Sequence, residues 1–76
     1  MFTRWESPTR YYTAEVRTDL LGDLILERSW GGRANNRGNS STALMRDHGQ
    51  VIREMRKLSM LRARHGYTVV AERLVP

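Results

Sequence analysis

Residues 10–30 read RYYTAEVRTDLLGDLILERSW, and this segment predicts an antiparallel β-hairpin. Over residues 10–17 apolar and polar side chains alternate, which is the period-2 pattern of a half-buried strand. Residues 18–23 contain two Asp and one Gly, residue types that favour a turn. Residues 24–30 are therefore predicted to form the second strand of the hairpin.

The segments on either side of the hairpin are predicted from their composition. Residues 31–41 are rich in Gly, Asn, Ser and Arg, which is typical of a loop because Gly and Asn tolerate positive φ. Short strands are predicted for residues 41–45 and 67–70. A Ser-Pro-Thr break precedes the hairpin, so residues 1–9 are predicted to be a flexible N-terminal arm. Residues 10–76 are predicted to be a single small domain.

One helix is predicted for residues 47–65. Asp47 and Gln50 have the spacing of a capping box, in which the Asp side chain accepts from the backbone N–H of the third helical residue and the Gln side chain reaches back to the N-cap N–H. Gly66 is a typical helix stop. The apolar stripe of this helix is predicted to contain Val51, Ile52, Met55, Leu58 and Ser59. Packed across the strands, this helix predicts an α+β fold: a small antiparallel β-sheet with one α-helix across it.

The distribution of charge suggests a polyanionic partner. The chain has 76 residues and a net charge of +5. Residues 28–46 carry four Arg and no acid. Arg binds phosphate in a bidentate manner, so this segment favours nucleic acid as the partner. An ordinary solvated basic surface is the alternative.

The sequence argues against a metal or cofactor site, a membrane protein and an enzyme. The chain has no Cys, and His48 and His65 are 17 residues apart, so neither a metal site nor a cofactor is expected. No apolar run approaches the roughly 20 residues of a membrane span, and a cytoplasmic protein without membrane contact is expected. Candidate nucleophiles, bases and acids are scattered, so no enzyme is expected.

The order of elements and several short motifs resemble the WGR domain family. Residues 10–12, Arg-Tyr-Tyr, are similar to the aromatic pair that opens the family's first strand, and residues 28–31, Arg-Ser-Trp-Gly, resemble its core string. The spacing of the helix and of the turn after it is also similar, at Val51, Met55, Leu58, Arg62 and Gly66-Tyr67. The resemblance covers about residues 10–70.

The chain departs from the family pattern at one position. The third residue of the family's Trp-Gly-Arg motif is Arg, whereas position 32 is Gly and Arg33 follows one place later. Gly38, which resembles the Gly that closes the loop, is displaced in the same way. We interpret this as a one-residue insertion after Trp30, and it leaves the role of Arg33 open.

The resemblance implies a nucleic-acid-binding module, with DNA preferred to RNA. WGR domains occur in poly(ADP-ribose) polymerases, where the Trp packs on a terminal sugar, and as small stand-alone bacterial proteins. Trp30 is the corresponding stacking platform, since an indole offers a flat apolar face to a sugar or base. The candidate nucleic-acid-binding residues are Trp30, Arg28, Arg33, Arg37, Gly31, Gly32, Gly38, Arg53 and Lys57.

Each of these candidates has a structural alternative. Trp30 is equally well explained as a core residue. Arg28 has Glu15 as an alternative partner across the hairpin, and Arg53 and Lys57 fit a solvated helix face. A protein–protein interaction module using the same Trp/Arg surface, or a small regulator, is the alternative function.

Overall fold

The computed structural model describes residues 1–35 and 37–73. These residues form an antiparallel five-stranded sheet in the order β4-β3-β2-β1-β5, with one helix. The elements are β1 (Phe2–Glu6), β2 (Arg10–Thr18), β3 (Leu24–Gly32), β4 (Gly38–Met45), α1 (His48–Arg64) and β5 (Thr68–Arg73). The predicted α+β class, with a small antiparallel sheet and one helix, is confirmed.

The predicted hairpin forms the centre of the sheet as β2 and β3. Its register pairs Tyr12 with Trp30 and Val16 with Leu26 on one face. In the connecting turn Asp19 Oδ1 accepts hydrogen bonds from the backbone N–H groups of residues 21 and 23, both at 2.9 Å. The Asp-rich turn therefore fixes the register that aligns the apolar side chains of both strands.

Helix α1 covers one face of the sheet, and the opposite face, which we call the open face, has no described element packed on it. Val51 and Leu58 are the buried residues of the helix. Ile52 is 46% exposed and Ser59 is also exposed, so the apolar stripe is narrower than predicted. The core between the two layers consists of Trp5, Tyr12, Ala14, Leu26, Met45, Val51 and Leu58.

The N-terminal arm predicted for residues 1–9 is replaced in the structure by strand β1. This strand pairs with β2 on one side and with β5 on the other. Trp5 is 2% exposed and lies edge-on against Tyr12, with 6.0 Å between ring centroids. Burial of a Trp side chain on the helix side explains why this segment is part of the sheet. Residues 74–76 of the predicted domain lie outside the described residues.

Strand β4 begins earlier than the predicted third strand. It starts at Gly38 instead of residue 41, and its register pairs Gly31 with Gly38 and Trp30 with Asn39. Gly, Asn and Ser are poor strand formers in isolation, which is why the sequence predicted a loop here. Pairing with β3 outweighs that preference, and the loop between the two strands shortens accordingly.

Side chains and backbone groups cap both ends of α1. Asp47 Oδ1 accepts from the Gln50 backbone N–H at 2.8 Å, as predicted. Gln50 Oε1 accepts from the Arg46 backbone N–H at 2.7 Å, one residue earlier than the usual capping-box partner. At the C-terminus Gly66 has φ of +83°, the left-handed conformation of a glycine that ends a helix.

Removal of the N-terminal cap tests this account of the helix. We expect Asp47→Ala to lower the free energy of unfolding by about 1 kcal/mol, because the Gln50 N–H loses its acceptor. The melting temperature should fall by roughly 4–8 °C for a domain of this size. Asp47→Asn keeps the acceptor without the charge and should remain close to the parent. Equal losses of stability for both variants would contradict the capping hydrogen bond as the cause and would indicate that the Asp47 charge stabilises the helix.

Candidate nucleic-acid interface

A cavity of about 260 Å³ lies between the sheet and the C-terminal end of α1. Four elements contribute to its walls: β2, β3, α1 and the turn after the helix. We call this cavity the aromatic–arginine pocket. Its lining residues are Arg10, Tyr12, Arg28, Trp30, Gly31, Arg62 and Tyr67.

Aromatic rings and a guanidinium group line the aromatic–arginine pocket. The rings of Tyr12 and Trp30 are nearly parallel, with 5.9 Å between centroids and 15° between planes. Arg62 Cζ lies 4.4 Å from the centroid of Tyr12 and 5.2 Å from that of Tyr67. Tyr12 is buried, whereas Trp30 and Tyr67 are only partly buried. These two rings therefore retain surface that a ligand can contact.

The end of the helix determines the position of Tyr67. The Gly66 N–H donates to Ala63 O at 3.2 Å, and the Tyr67 N–H donates to Arg62 O at 2.9 Å. This pair of bonds is a Schellman motif, which commonly brings the residue after the glycine against the last turn of the helix. The left-handed turn at Gly66 thus directs Tyr67 back toward the Arg62 guanidinium, and it explains why Gly and Tyr occur together here.

Three arginines line the aromatic–arginine pocket without an acidic partner among the described residues. No described carboxylate lies within 4.0 Å of Arg10, Arg28 or Arg62. Arg28 Nη2 donates to Ser41 Oγ at 3.1 Å. Within residues 1–35 and 37–73, the Nε atoms of Arg28 and Arg62 are buried and have no hydrogen-bond partner. Positive charge in this pocket is therefore partly desolvated and not neutralised, which favours an anionic ligand.

The alternative pairing of Arg28 with Glu15 is wrong. Glu15 lies opposite Glu27 in the ladder, on the open face, whereas Arg28 faces the helix side opposite Ala14. The Glu15 carboxylate is 3.7 Å from Arg73 Nη2. Because neighbouring residues of a strand point to opposite faces, the sheet itself separates Arg28 from the acids of the hairpin.

A second cavity of about 620 Å³ adjoins the aromatic–arginine pocket at the β3–β4 loop. The two cavities share Arg10, Trp30 and Gly31 as walls. We call the second one the loop cavity. Its remaining lining residues are Thr9, Gly32, Asn35, Arg37, Gly38 and Asn39. The predicted candidates Trp30, Arg28, Arg37, Gly31, Gly32 and Gly38 are thus brought together around two contiguous cavities.

Gly31 and Gly38 allow β3 and β4 to meet beneath an aromatic ring. A Cβ at Gly31 would lie 2.6 Å from Arg37 O and 3.1 Å from the Tyr11 ring. A Cβ at Gly38 would lie 2.7 Å from the Tyr11 hydroxyl and 3.0 Å from Trp30 O. Only glycine fits this close approach of two backbones, so both positions keep β3, which contains Trp30, close to the start of β4, which Arg37 precedes.

Arg33 lies away from both cavities. Arg33 Nη1 donates to Ser7 O at 3.0 Å, and its Nη2 is 3.4 Å from the Glu6 carboxylate. Gly32 forms the last pair of the β2–β3 ladder, opposite Arg10, and the Arg33 side chain that follows lies against the β1–β2 turn. Arg33 therefore fastens that turn in the structure, and its predicted contact with nucleic acid stays a prediction.

Arg53 and Lys57 are likewise not brought to the cavities. Both are exposed, and each lies two residues after a position on the sheet-facing side of α1, Val51 and Met55, which places it on the opposite side of a helix. Lys57 Nζ is 3.7 Å from the Glu54 carboxylate. The helix contributes Arg62 to the site instead.

Four lining residues of the aromatic–arginine pocket were missing from the sequence-based candidates: Arg10, Tyr12, Arg62 and Tyr67. Tyr12 was assigned to the core of the hairpin, and Arg62 was noted for its place in the helix spacing. For Arg62 and Tyr67, the sequence signal that could have indicated them is the spacing between the two residues. A basic residue in the last turn, followed by Gly and an aromatic residue, predicts a cation–π contact across a Schellman motif.

Residues 1–35 and 37–73 contain neither a membrane-spanning helix nor a cluster of metal-binding side chains. No helix in this part of the chain has the length and apolar character needed to cross a membrane. Nor does it contain a group of three or more His, Cys, Asp or Glu side chains arranged to hold a metal ion.

Comparison with known families agrees with the resemblance seen in the sequence. The family model described as WGR domain matches residues 2–73, a range that includes β1 as well as β5. No curated protein and no solved structure matches the chain significantly. The match extends over all the strands and the helix. The chain therefore belongs to the WGR domain family, a nucleic-acid-binding type of module.

Proposed function

We propose that this protein is a cytoplasmic DNA-binding module, and not an enzyme, which binds through the aromatic–arginine pocket and the loop cavity. DNA is preferred to RNA in this proposal. The observation that carries it is the combination of Arg10, Arg28 and Arg62, without described acidic partners, with the partly exposed rings of Trp30 and Tyr67. Phosphate and sugar or base are the two parts of a nucleotide, and this surface offers a matching group for each.

The arginines supply most of the affinity in this proposal. Arg10 borders both cavities, Arg28 and Arg62 line one and Arg37 the other, so about four phosphates come within reach of one binding surface. Such contacts position the backbone without reading its sequence. Trp30 lies between the two cavities and supplies the stacking surface, a contact that tolerates any base.

Salt dependence gives the first test. We expect DNA binding in the micromolar range or weaker at low ionic strength, with a log–log salt slope near −3.6 for about four phosphates on duplex DNA. Fluorescence anisotropy over a series of salt concentrations measures both quantities. Absence of binding to any nucleic acid at about 50 mM salt would contradict the proposal.

Matched arginine variants locate the binding surface. Arg28→Gln should weaken binding and reduce the magnitude of the log–log salt slope by about 0.9, the contribution of one phosphate. Arg46→Gln removes the same charge at the opposite end of β4, roughly 25 Å from Gly38 at 3.3 Å per strand residue, and should leave the slope unchanged. Equal effects of both variants would indicate a response to net charge and not a contact in the pocket.

The alternative of a protein partner makes a different prediction for the same surface. An interface centred on Trp30 and packed around apolar contacts keeps its affinity as salt rises, because screening acts mainly on exposed charges. Binding to a protein ligand with little salt dependence, together with no binding to nucleic acid, would therefore support the interaction module.

A further inference from the structure

We propose that the aromatic–arginine pocket receives an unpaired nucleotide, so that the protein prefers single-stranded DNA, or a duplex with an unpaired overhang, to a fully paired blunt duplex. This inference rests on the proposed function and names the form of nucleic acid that the same site takes. It is carried by the shape of the pocket and by the groups that line it.

The shape of the pocket favours one nucleotide over a base pair. Its walls come from both layers of the fold, with Tyr12 and Trp30 on the sheet and Arg62 and Tyr67 at the end of the helix. Its volume is about 260 Å³, just below the range of roughly 300–1,000 Å³ that is usual for sites holding drug-sized ligands. A paired base carries its partner and its stacked neighbours with it, so it does not fit a pocket of this volume unless it leaves the duplex.

The lining groups suit the faces and edges that become free when a base is unpaired. Trp30 and Tyr67 keep exposed ring surface. The guanidinium of Arg62 already lies over the rings of Tyr12 and Tyr67 in the same pocket. Aromatic rings and planar guanidinium groups stack on bases without regard to sequence. In a duplex those faces are already stacked, apart from the outer face of each terminal base pair, so an unpaired nucleotide gains more from stacking than a paired one.

In this proposal the loop cavity binds the nucleic-acid strand that continues from the unpaired nucleotide. Arg10, Trp30 and Gly31 line both cavities, so a backbone leaving the aromatic–arginine pocket passes Arg10 and reaches Arg37. Arg62 and Tyr67 line only the aromatic–arginine pocket, whereas Arg37 lines only the loop cavity. Substitutions in one cavity or the other can therefore separate the affinity due to the unpaired nucleotide from the affinity due to the nucleic-acid strand that follows it.

Three probes test the inference on the full chain: a short blunt duplex, the same duplex with a few unpaired thymidines at one end, and a thymidine single strand. We expect the overhang and the single strand to bind about tenfold more tightly than the blunt duplex, within the range of one stacked base. Equal affinity for the blunt and the overhang duplex would overturn this inference and leave the proposed function standing. Absence of binding to all three probes would overturn both.

Two variants assign the preference to the pocket. Tyr67→Leu keeps an apolar contact with the last helical turn but removes the ring, and it should abolish most of the preference for the overhang by lowering overhang affinity more than blunt-duplex affinity. Arg37→Gln should weaken all three probes by a similar factor. Arg62→Gln repeats the test if Tyr67→Leu does not fold. A folded variant of either pocket residue that keeps the full preference would overturn the assignment.

Discussion

Trp5→Ala is expected to leave most of the protein unfolded. The side chain is 2% exposed and lies in a strand bonded on both sides. Truncation of a buried Trp costs about 3–5 kcal/mol, and the core of a domain this small rarely supplies more than about 3–5 kcal/mol in total. Far-UV circular dichroism and a urea titration measure the loss directly.

Two comparisons make this result informative. Leu21→Ala removes an apolar side chain that is 87% exposed and should change stability by less than about 0.5 kcal/mol. Trp30→Ala removes a partly buried ring and should remain folded while DNA binding falls about tenfold or more. A stable Trp5→Ala protein would show that β1 is dispensable, and an unfolded Trp30→Ala protein would assign Trp30 to the core.

Gly31→Ala is expected to destabilise the domain by about 2 kcal/mol and to weaken DNA binding as well. The new Cβ would lie 2.6 Å from Arg37 O, a backbone atom that no rotamer change can move, and 3.1 Å from the Tyr11 ring. Overpacking of this kind costs about 1–3 kcal/mol, which exceeds the roughly 0.5–1 kcal/mol gained by replacing a strand glycine. Separation of β3 from β4 would also displace Trp30 and Arg37.

The neighbouring glycine supplies the control for this substitution. A Cβ at Gly32 would meet the side-chain amide of Asn35 at 2.8 Å, the far end of a side chain that can rotate away with the loss of one exposed hydrogen bond, from the Arg37 N–H to Asn35 Oδ1. We therefore expect Gly32→Ala to change the midpoint of urea unfolding only slightly. Similar losses at both positions would contradict the argument that the backbone contact, and not any added methyl group, is the cause.

Much of the fold follows from local patterns in the sequence, whereas strand β1 does not. The alternation in β2 and the cap at Asp47 are properties of short segments, so they are visible without tertiary information. In β1 the outward-facing Phe2 is as apolar as the inward-facing Trp5, and this hides the alternation. Its place in the sheet depends on pairing with β5, a partner at the other end of the chain.

The sequence indicated those lining residues that belong to one local motif. It did not indicate the residues that only tertiary packing brings to the cavities. Trp30, Arg28 and Arg37 belong to one continuous basic segment, and the structure gathers them around adjoining cavities. Arg62 and Tyr67 enter only because the helix ends above the β2–β3 hairpin and the chain turns back at Gly66. Arg33 lies outside both cavities because its side chain contacts Ser7 and Glu6 at the β1–β2 turn.

The position of β1 between β2 and β5 has a consequence for how the chain folds. Phe2 pairs with Arg73, so Arg73 must have left the ribosome before the β1–β5 ladder can close. Until then β1 has a free edge, and nascent chains with such edges are prone to pair with one another. Contacts between distant parts of a chain also slow folding. Refolding should therefore be limited by closure of the β1–β5 ladder, after the β2–β3 hairpin and the helix have formed.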